Sequence, residues 1–430
     1  MTDSEESPET RDDVGVNAYC LLHGSTAALD VEVVVVRIAM IGTRGVPARY
    51  GGFETCVEEV GSRLADRGHD VTVYCRRPEG ATGPDPTGHK GMRLVTLPAL
   101  HRRSLETLSH SALSVAHVLG RGTDAALVFN AANAPLLPAL RARGVPVATH
   151  VDGLEWQRAK WGGVGREYYR RAESLAVRWS DALIADAQGI SDYYAAEFAA
   201  PTTLISYGAP LVDERRPDLL VPLGLRPQGY HLVVARFEPE NNVETAVRGY
   251  VSSSSLLPLV VVGSAPYADE YTAAVHAAAD ERVRFLGGVW DQELLDQLYA
   301  NACSYVHGHS VGGTNPSLLR AIGAGVPTTA LDVFFNREVL GDAGEYWADA
   351  GDLARLLKES EAHPEETRAR GAAARLRALD YDWDDVADGS EDLCRRLAAR
   401  DVPSRRPSGR RLQRTDVSRG HRSGARAGAR

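Results

Sequence analysis

This 430-residue sequence predicts an α/β fold built twice over, as two Rossmann-like domains facing a central cleft. Short apolar, β-branched runs alternate with stretches of helical periodicity along most of the chain. The alternation breaks at residues 213–229, which are rich in Pro, Arg and Asp and read as a linker, and then restarts. Each half opens with strand, loop and helix, and the length suits two α/β domains plus tails.

The first domain is expected over 37–212. Val33 to Gly42 reads as a buried strand ended by glycine, and Thr43 to Phe53 as a loop. Glu54 to Arg67 has helical spacing, with Val57, Val60 and Leu64 on one face and Gly68 as the stop. Asp70 to Cys75 alternates as the next strand. Further strands are predicted at Ala125–Phe129, Val145–His150, Ala182–Ala185 and Thr203–Ser206, with helices at Pro135–Ala142 and Tyr168–Trp179. The second domain is expected over 230–365. Its strands are Tyr230–Val234, Leu259–Val262, Val283–Leu286 and Cys303–Val306. Its helices are Val243–Tyr250, Glu270–Ala279, Leu294–Asn301 and Pro316–Ala324. Open α/β sheets bind ligands at the carboxyl ends of their strands, so the cleft is the expected site.

Composition narrows the function. Apolar residues make up 44% and charged residues 24%, as in a globular protein with full cores. Residues 1–36 hold eight acids and one Arg and read as a disordered or mis-started extension, with the true start near Val36. Residues 401–430 hold nine Arg and two Asp. The tails therefore cancel and the net charge of −9 belongs to the folded part, which argues against nucleic-acid binding. The basic tail reads first as solvated and disordered, and second as a tether to anionic lipid. The acidic opening is no secretory signal, and the Val33–Ile41 run is too short to span a bilayer, so a cytoplasmic protein is expected. Five scattered cysteines without a C-x-x-C read as reduced thiols.

Two glycine loops carry the chemistry. The first runs from Gly42 to Phe53 and includes Gly51-Gly52, where close approach to an anion at the following helix is expected. Its spacing is not G-x-G-x-x-G, and Cys75-Arg76-Arg77 stands where a nicotinamide site wants an acid. The second runs from His307 to Asn315. Asn315 suits the N-cap and Pro316 the first helical position, which makes a cradle for a diphosphate. Arg236, at a strand end in RFEPENN, reads as a bidentate phosphate ligand, or else as the partner of Glu238 or Glu240. His150 ends a strand two residues from Asp152, which makes a polar pair near the reacting centre. Arg158 and Lys160, between Trp156 and Trp161, suggest a basic cleft edge.

Together these residues resemble the retaining GT-B glycosyltransferases of the family 4 type, especially the rhamnosyltransferase-like bacterial polysaccharide branch. The matching stretches are GTRGVPARYGGFET (42–55), HVDGLEWQRAKWG (150–162), RFEPENN (236–242), VVVGSAPYADEY (260–271) and GHSVGGTNPSLLRAIGAG (308–325). The resemblance implies a donor held by the second domain and an acceptor held by the first. Gly51 and Gly52 would approach the donor phosphates. Arg236, Asn241, His309, Gly312, Gly313, Thr314 and Asn315 would surround the diphosphate and sugar. His150 would lie near the transferred sugar, supported by Asp152, with Arg158 and Lys160 on the acceptor side. It implies a nucleotide-sugar as substrate, a polysaccharide or lipid-linked acceptor, and no metal or other cofactor. Tyr381-Asp382-Trp383 and the helices of 366–400 resemble the segment that packs back on the first domain.

One position departs from the pattern. Close relatives carry Glu where this chain has Arg320, and that Glu accepts hydrogen bonds from the donor ribose. Arg cannot accept one. The lost contact costs on the order of 1–3 kcal/mol, unless Arg320 grips a phosphate instead. Three readings follow: an active transferase, a non-catalytic homologue with a degraded donor site, and a nucleotide-sugar epimerase.

Overall fold

The computed structural model describes residues 34–48, 51–77, 80, 82–100, 105–151, 153–158, 161–264, 269–402 and 407–412. The first sheet contains β1 (Arg37–Ile41), β2 (Asp70–Arg76), β3 (Gly88–His89), β4 (Met92–Leu97), β5 (Ala125–Phe129), β6 (Val147–Val151), β7 (Ala182–Ala185) and β8 (Thr203–Leu204). Their order is β3-β4-β2-β1-β5-β6-β7-β8, parallel except for β3 on β4. The second sheet contains β9 (His231–Val234), β10 (Leu259–Val262), β11 (Val283–Gly287), β12 (Ser304–His307), β13 (Thr328–Leu331) and β14 (Glu345–Trp347). It is wholly parallel in the order β11-β10-β9-β12-β13-β14. This is the twice-built α/β fold expected from the sequence.

The helices are α1 (Gly52–Asp66), α2 (Glu106–Leu119), α3 (Leu137–Arg143), α4 (Gly163–Trp179), α5 (Gln188–Phe198), α6 (Val243–Ser252) and α7 (Asp269–Ala277). They continue with α8 (Gln292–Ala300), α9 (Pro316–Gly323), α10 (Phe334–Leu340), α11 (Ala350–Ala362), α12 (Pro364–Arg377) and α13 (Trp383–Ala398). Central strands such as β5, β6, β10 and β12 are buried along their whole length, as parallel strands covered on both faces must be. Among the described residues no helix is long and apolar enough to cross a membrane. Both sheets belong to one unit, Val35–Arg430; the other unit, Met1–Val34, lies almost wholly outside the described residues.

The structure departs from the sequence expectations at several elements. α2 was not expected, because His110, Ser111 and Ser114 sit on its buried face and interrupt the apolar period. The stretch 213–229 is packed rather than a bare linker. It contains a 3₁₀ turn, Pro217–Leu223, that buries Leu220, and Arg216 N donates to Gln297 of α8 at 2.6 Å. The chain after α12 returns to the first sheet. There α13 packs on α1 through Arg63–Asp384 at 2.7 Å, Arg67–Glu391 at 2.8 Å and His69–Glu391 at 3.1 Å. Residues 407–412 continue onto α4 and α5, where Arg411 is largely buried, so this part of the expected solvated tail is docked.

Candidate functional site

The cleft is assembled at the carboxyl ends of β1, β6 and β7 from one half and β9 and β12 from the other. The loop after β1 is held by its own helix. Arg44 N donates to Glu54 Oε1 at 2.9 Å, Ala48 N to Glu58, and Gly45 N to Thr43 Oγ1 at 3.1 Å. Those amides are committed to the loop and not to an anion. Gly51 enters α1 at φ 109, a conformation that favours glycine. Gly52 lies against Pro316 of the other half and Tyr207. The paired glycines therefore have a packing reason that the sequence did not reveal.

The loop after β12 meets the first half directly. A methyl on Gly153 would run into the Gly312 backbone, and one on Gly313 would run into the Asp186 carboxylate. The Thr314 hydroxyl donates to the Asp186 carbonyl at 2.5 Å. Asn315 caps α9 by accepting from Ser317 N at 3.0 Å, and Pro316 takes the first helical position. The start of α9 thus lies at the seam between the halves, with Ser317 N held by the Asn315 side chain and Leu318 N and Leu319 N donating to the Asn315 carbonyl.

His307 and His309 stack with ring centroids 4.5 Å apart, and Asn336 donates to the His309 carbonyl at 3.1 Å. Burial drives His307 down to about 3 and His309 well below its ordinary value, so both rings are neutral. His150 lies in an aromatic nest. Phe129 stacks at 5.5 Å, Tyr207 stacks at 5.7 Å, and Phe53 meets it edge-on at 5.2 Å. Burial takes it to about 3, and among the described residues its Nδ1 has no hydrogen-bond partner. Asp152 and Lys160 lie outside the described residues.

The charged groups form a chain across the cleft. Arg236 is 56% exposed, with Nη1 3.3 Å from Glu238. Asn241 is buried and donates to the Arg236 carbonyl at 2.9 Å, bracing that strand end. Glu240 lies 3.6 Å from Nη1 of Arg158, which is also paired with Glu155 of its own half. Arg158 is therefore a bridge between halves rather than a loose basic edge.

Arg320 stands apart from this group. Its guanidinium pairs with Asp296 and donates to Gln292 at 2.8 Å, both on α8. An Arg one turn into a short helix has a carboxylate on the neighbouring helix within reach, and the ion pair takes it. Sequence reasoning missed Asp186, Asn336 and Tyr207 as members of the cleft. Asp186 was findable, since it is the first polar residue after a strand, the signal that singled out His150 and Arg236. Cavities of about 190 Å³ beside Arg37 and Asp70, and about 260 Å³ beside Cys303 and Glu361, open at the amino ends of the strands, away from this seam. Among the described residues no cluster of three or more His, Cys, Asp or Glu side chains is arranged to hold a metal ion.

Residues 51–208 match the Glycosyl transferase 4-like domain family, and residues 225–377 match the Glycosyl transferases group 1 family. The chain is 28% identical over 169 residues to O-antigen chain mannosyltransferase B of Escherichia coli. That match spans 36% of this chain and 43% of the mannosyltransferase. It is 25% identical over 398 residues to glycogen synthase of Mycobacterium tuberculosis, spanning 83% of this chain and 94% of that one. Among solved structures, sucrose-phosphate synthase of Thermosynechococcus elongatus superposes with a TM-score of 0.73 at 21% identity, covering 85% of this chain and 100% of its own. HepE of Anabaena, in complex with UDP-glucose, superposes with a TM-score of 0.67 at 17% identity, covering 83% of this chain and 99% of its own. With two Rossmann-like domains about one cleft and a family match on each half, the chain is a GT-B-fold protein related to the family-4 and group-1 glycosyltransferases.

Proposed function

We propose that the protein moves a sugar from a nucleoside-diphosphate donor to a polysaccharide or lipid-linked acceptor, with retention of configuration and without a metal ion. The observation that supports this most is the meeting of the two halves at glycines. Gly153 on Gly312 and Gly52 on Pro316 bring the strand ends of both sheets and the start of α9 to one seam. A diphosphate there would meet the exposed Arg236 and the amides of Gly312 to Asn315, an oriented positive field for a leaving group. His150, neutral and nested in rings, would serve as a hydrogen-bonding wall of the sugar site and not as a proton donor. The acceptor would enter along the first domain, past Arg158 and Lys160. Rhamnose is the sugar we favour, with the enzyme on the cytoplasmic side and the basic tail touching anionic lipid.

One observation favours a second reading, a non-catalytic homologue. Arg320 is tied to Asp296 and offers a ribose no acceptor. Thermal shifts of the whole protein and of Arg320→Glu with dTDP-rhamnose, UDP-glucose and GDP-mannose separate the two. Ligand that binds the folded state raises the melting temperature. A shift of wild type by one donor, with slow release of its nucleoside diphosphate, supports the transferase. A shift only in Arg320→Glu favours the non-catalytic reading. Conversion of the donor to an epimer without acceptor would overturn both.

A further inference from the structure

We propose that the Glu240 carboxylate recognises adjacent hydroxyls of the sugar carried by the donor and so helps set which sugar the cleft accepts. The proposal rests on the donor reading given above.

Glu240 occupies the 3₁₀ turn Pro239–Asn241 that follows the exposed Arg236. Its backbone is fixed, because its carbonyl accepts from Ser310 N at 2.9 Å and from Ser310 Oγ at 2.8 Å. That pair joins the turn to the His307–Asn315 loop. The side chain is 4% exposed. Both carboxylate oxygens are buried, and among the described residues none outside the Pro239–Asn241 turn and the adjoining Glu238 meets them with a hydrogen bond. The nearest cation, Arg158 Nη1, stands at 3.6 Å, too far for a hydrogen bond. Glu238 lies beside it, also with one buried oxygen unmet, and burial and that neighbour both raise the pKa of Glu240.

A buried carboxylate short of donors is costly. An ionised carboxylate takes donors only, and the ionised oxygens of a diphosphate offer none. A metal ion there would have to settle against the guanidinium groups of Arg158 and Arg236, which disfavours it. Adjacent sugar hydroxyls suit the site, since two neighbouring O–H groups can donate to the two oxygens of one carboxylate. The position also suits a sugar. Glu240 lies between Arg236, the proposed diphosphate ligand, and Arg158, on the acceptor domain. A transferred sugar must sit between its leaving group and its acceptor.

The test uses the full chain and the variants Glu240→Gln and Glu240→Ala. Affinities are measured calorimetrically for three pairs: dTDP and dTDP-rhamnose, UDP and UDP-glucose, GDP and GDP-mannose. Wild type should bind one nucleotide-sugar more tightly than its bare nucleoside diphosphate. Both variants should hold that diphosphate within about twofold, which also shows that the cleft has folded, and should lose about tenfold or more for the nucleotide-sugar. The donor with one ring hydroxyl replaced by hydrogen should bind wild type weakly and bind the variants no worse than the parent sugar does. Variants that bind the nucleotide-sugar as wild type does, or that lose bare diphosphate equally, overturn the proposal while leaving the donor reading intact. Failure of wild type to bind any of the six ligands overturns the donor reading and this proposal with it.

Discussion

Arg411→Ala should destabilise the first domain, and by more at high pH than at low. Arg411 donates to Glu197 Oε2 at 2.7 Å and to Tyr193 Oη at 2.8 Å. It also pairs with Glu173 and lies 4.8 Å from the Phe198 ring. The side chain of Glu173 is 5% exposed and that of Glu197 4%. Removing the guanidinium strands two carboxylates that cannot reach water, and breaking a buried pair costs about 3–5 kcal/mol. Freeing residues 407–412 returns some chain entropy, so the net loss is about 2–4 kcal/mol. At about 2–4 °C for each kcal/mol in a domain of this size, the melting temperature should fall by roughly 4–16 °C. Burial holds Glu173 at about 7 even with Arg411 beside it, against an ordinary 4.5. A carboxyl raised in the folded state keeps its proton while the unfolded chain releases it. Stability therefore falls as pH rises from 4.5 towards 7. Without Arg411 the carboxyl rises further and the fall extends to higher pH. Differential scanning fluorimetry of both proteins at pH 6 and pH 8.5 measures this. An unchanged melting temperature, or a deficit no larger at pH 8.5, would refute the reasoning.

Glu361 accepts from His231 Nε2 at 3.0 Å, Leu256 N at 2.9 Å, Leu257 N at 3.1 Å and the Ser255 hydroxyl. Burial opposes its charge, yet these donors hold it at about 2, so its contribution is present above pH 4.5 and lost as pH falls towards 2. Glu361→Ala should cost about 3 kcal/mol in urea unfolding at pH 7, and the difference from wild type should shrink on acidification. Gly153→Val places a branched side chain against the Gly312 backbone, so it should open the seam. A larger radius of gyration by small-angle scattering and a fall of about a hundredfold in kcat are expected. His150, at about 3, should add no limb to a pH–rate profile between pH 5.5 and 8.5. A limb near 6.5 that vanishes in His150→Asn would show that its surroundings have been misread.

The strands and glycine loops were legible because their signals are local. A β-branched run, a glycine with φ 109 at Gly51 and an Asn-Pro pair at the start of α9 each declare their conformation within a few residues. Partnership across the chain is not local. Arg320 reads as a ligand of the cleft until α8 is placed beside it, when Asp296 proves to be its partner. The Gly51-Gly52 pair reads as room for an anion until Pro316, more than 260 residues later, is seen against Gly52. α2 hid for a different reason, since His110, Ser111 and Ser114 occupy the first turns of its buried face and leave only Val115 and Val118 as its apolar signal. In the tail, Arg411 looks like any other Arg of a basic run. Only the folded first domain, with Glu173 and Glu197 buried together, distinguishes it.

The same distinction sorts the two arginines of the cleft. Arg236 is exposed while Glu238 is half-buried, and their contact is a single 3.3 Å pair open to water on the guanidinium side, so a diphosphate can take the guanidinium at modest cost. Arg158 is 13% exposed and gripped by Glu155, with Glu240 of the other half beyond it. Drawing it towards a phosphate would take the cation from the buried Glu155, which Trp161 Nε1 also meets at 3.3 Å, a cost of several kcal/mol. Two cations that look alike in sequence thus divide by burial. On the proposed reading Arg236 is the cation that a diphosphate would recruit, while Arg158 stays with Glu155 and Glu240.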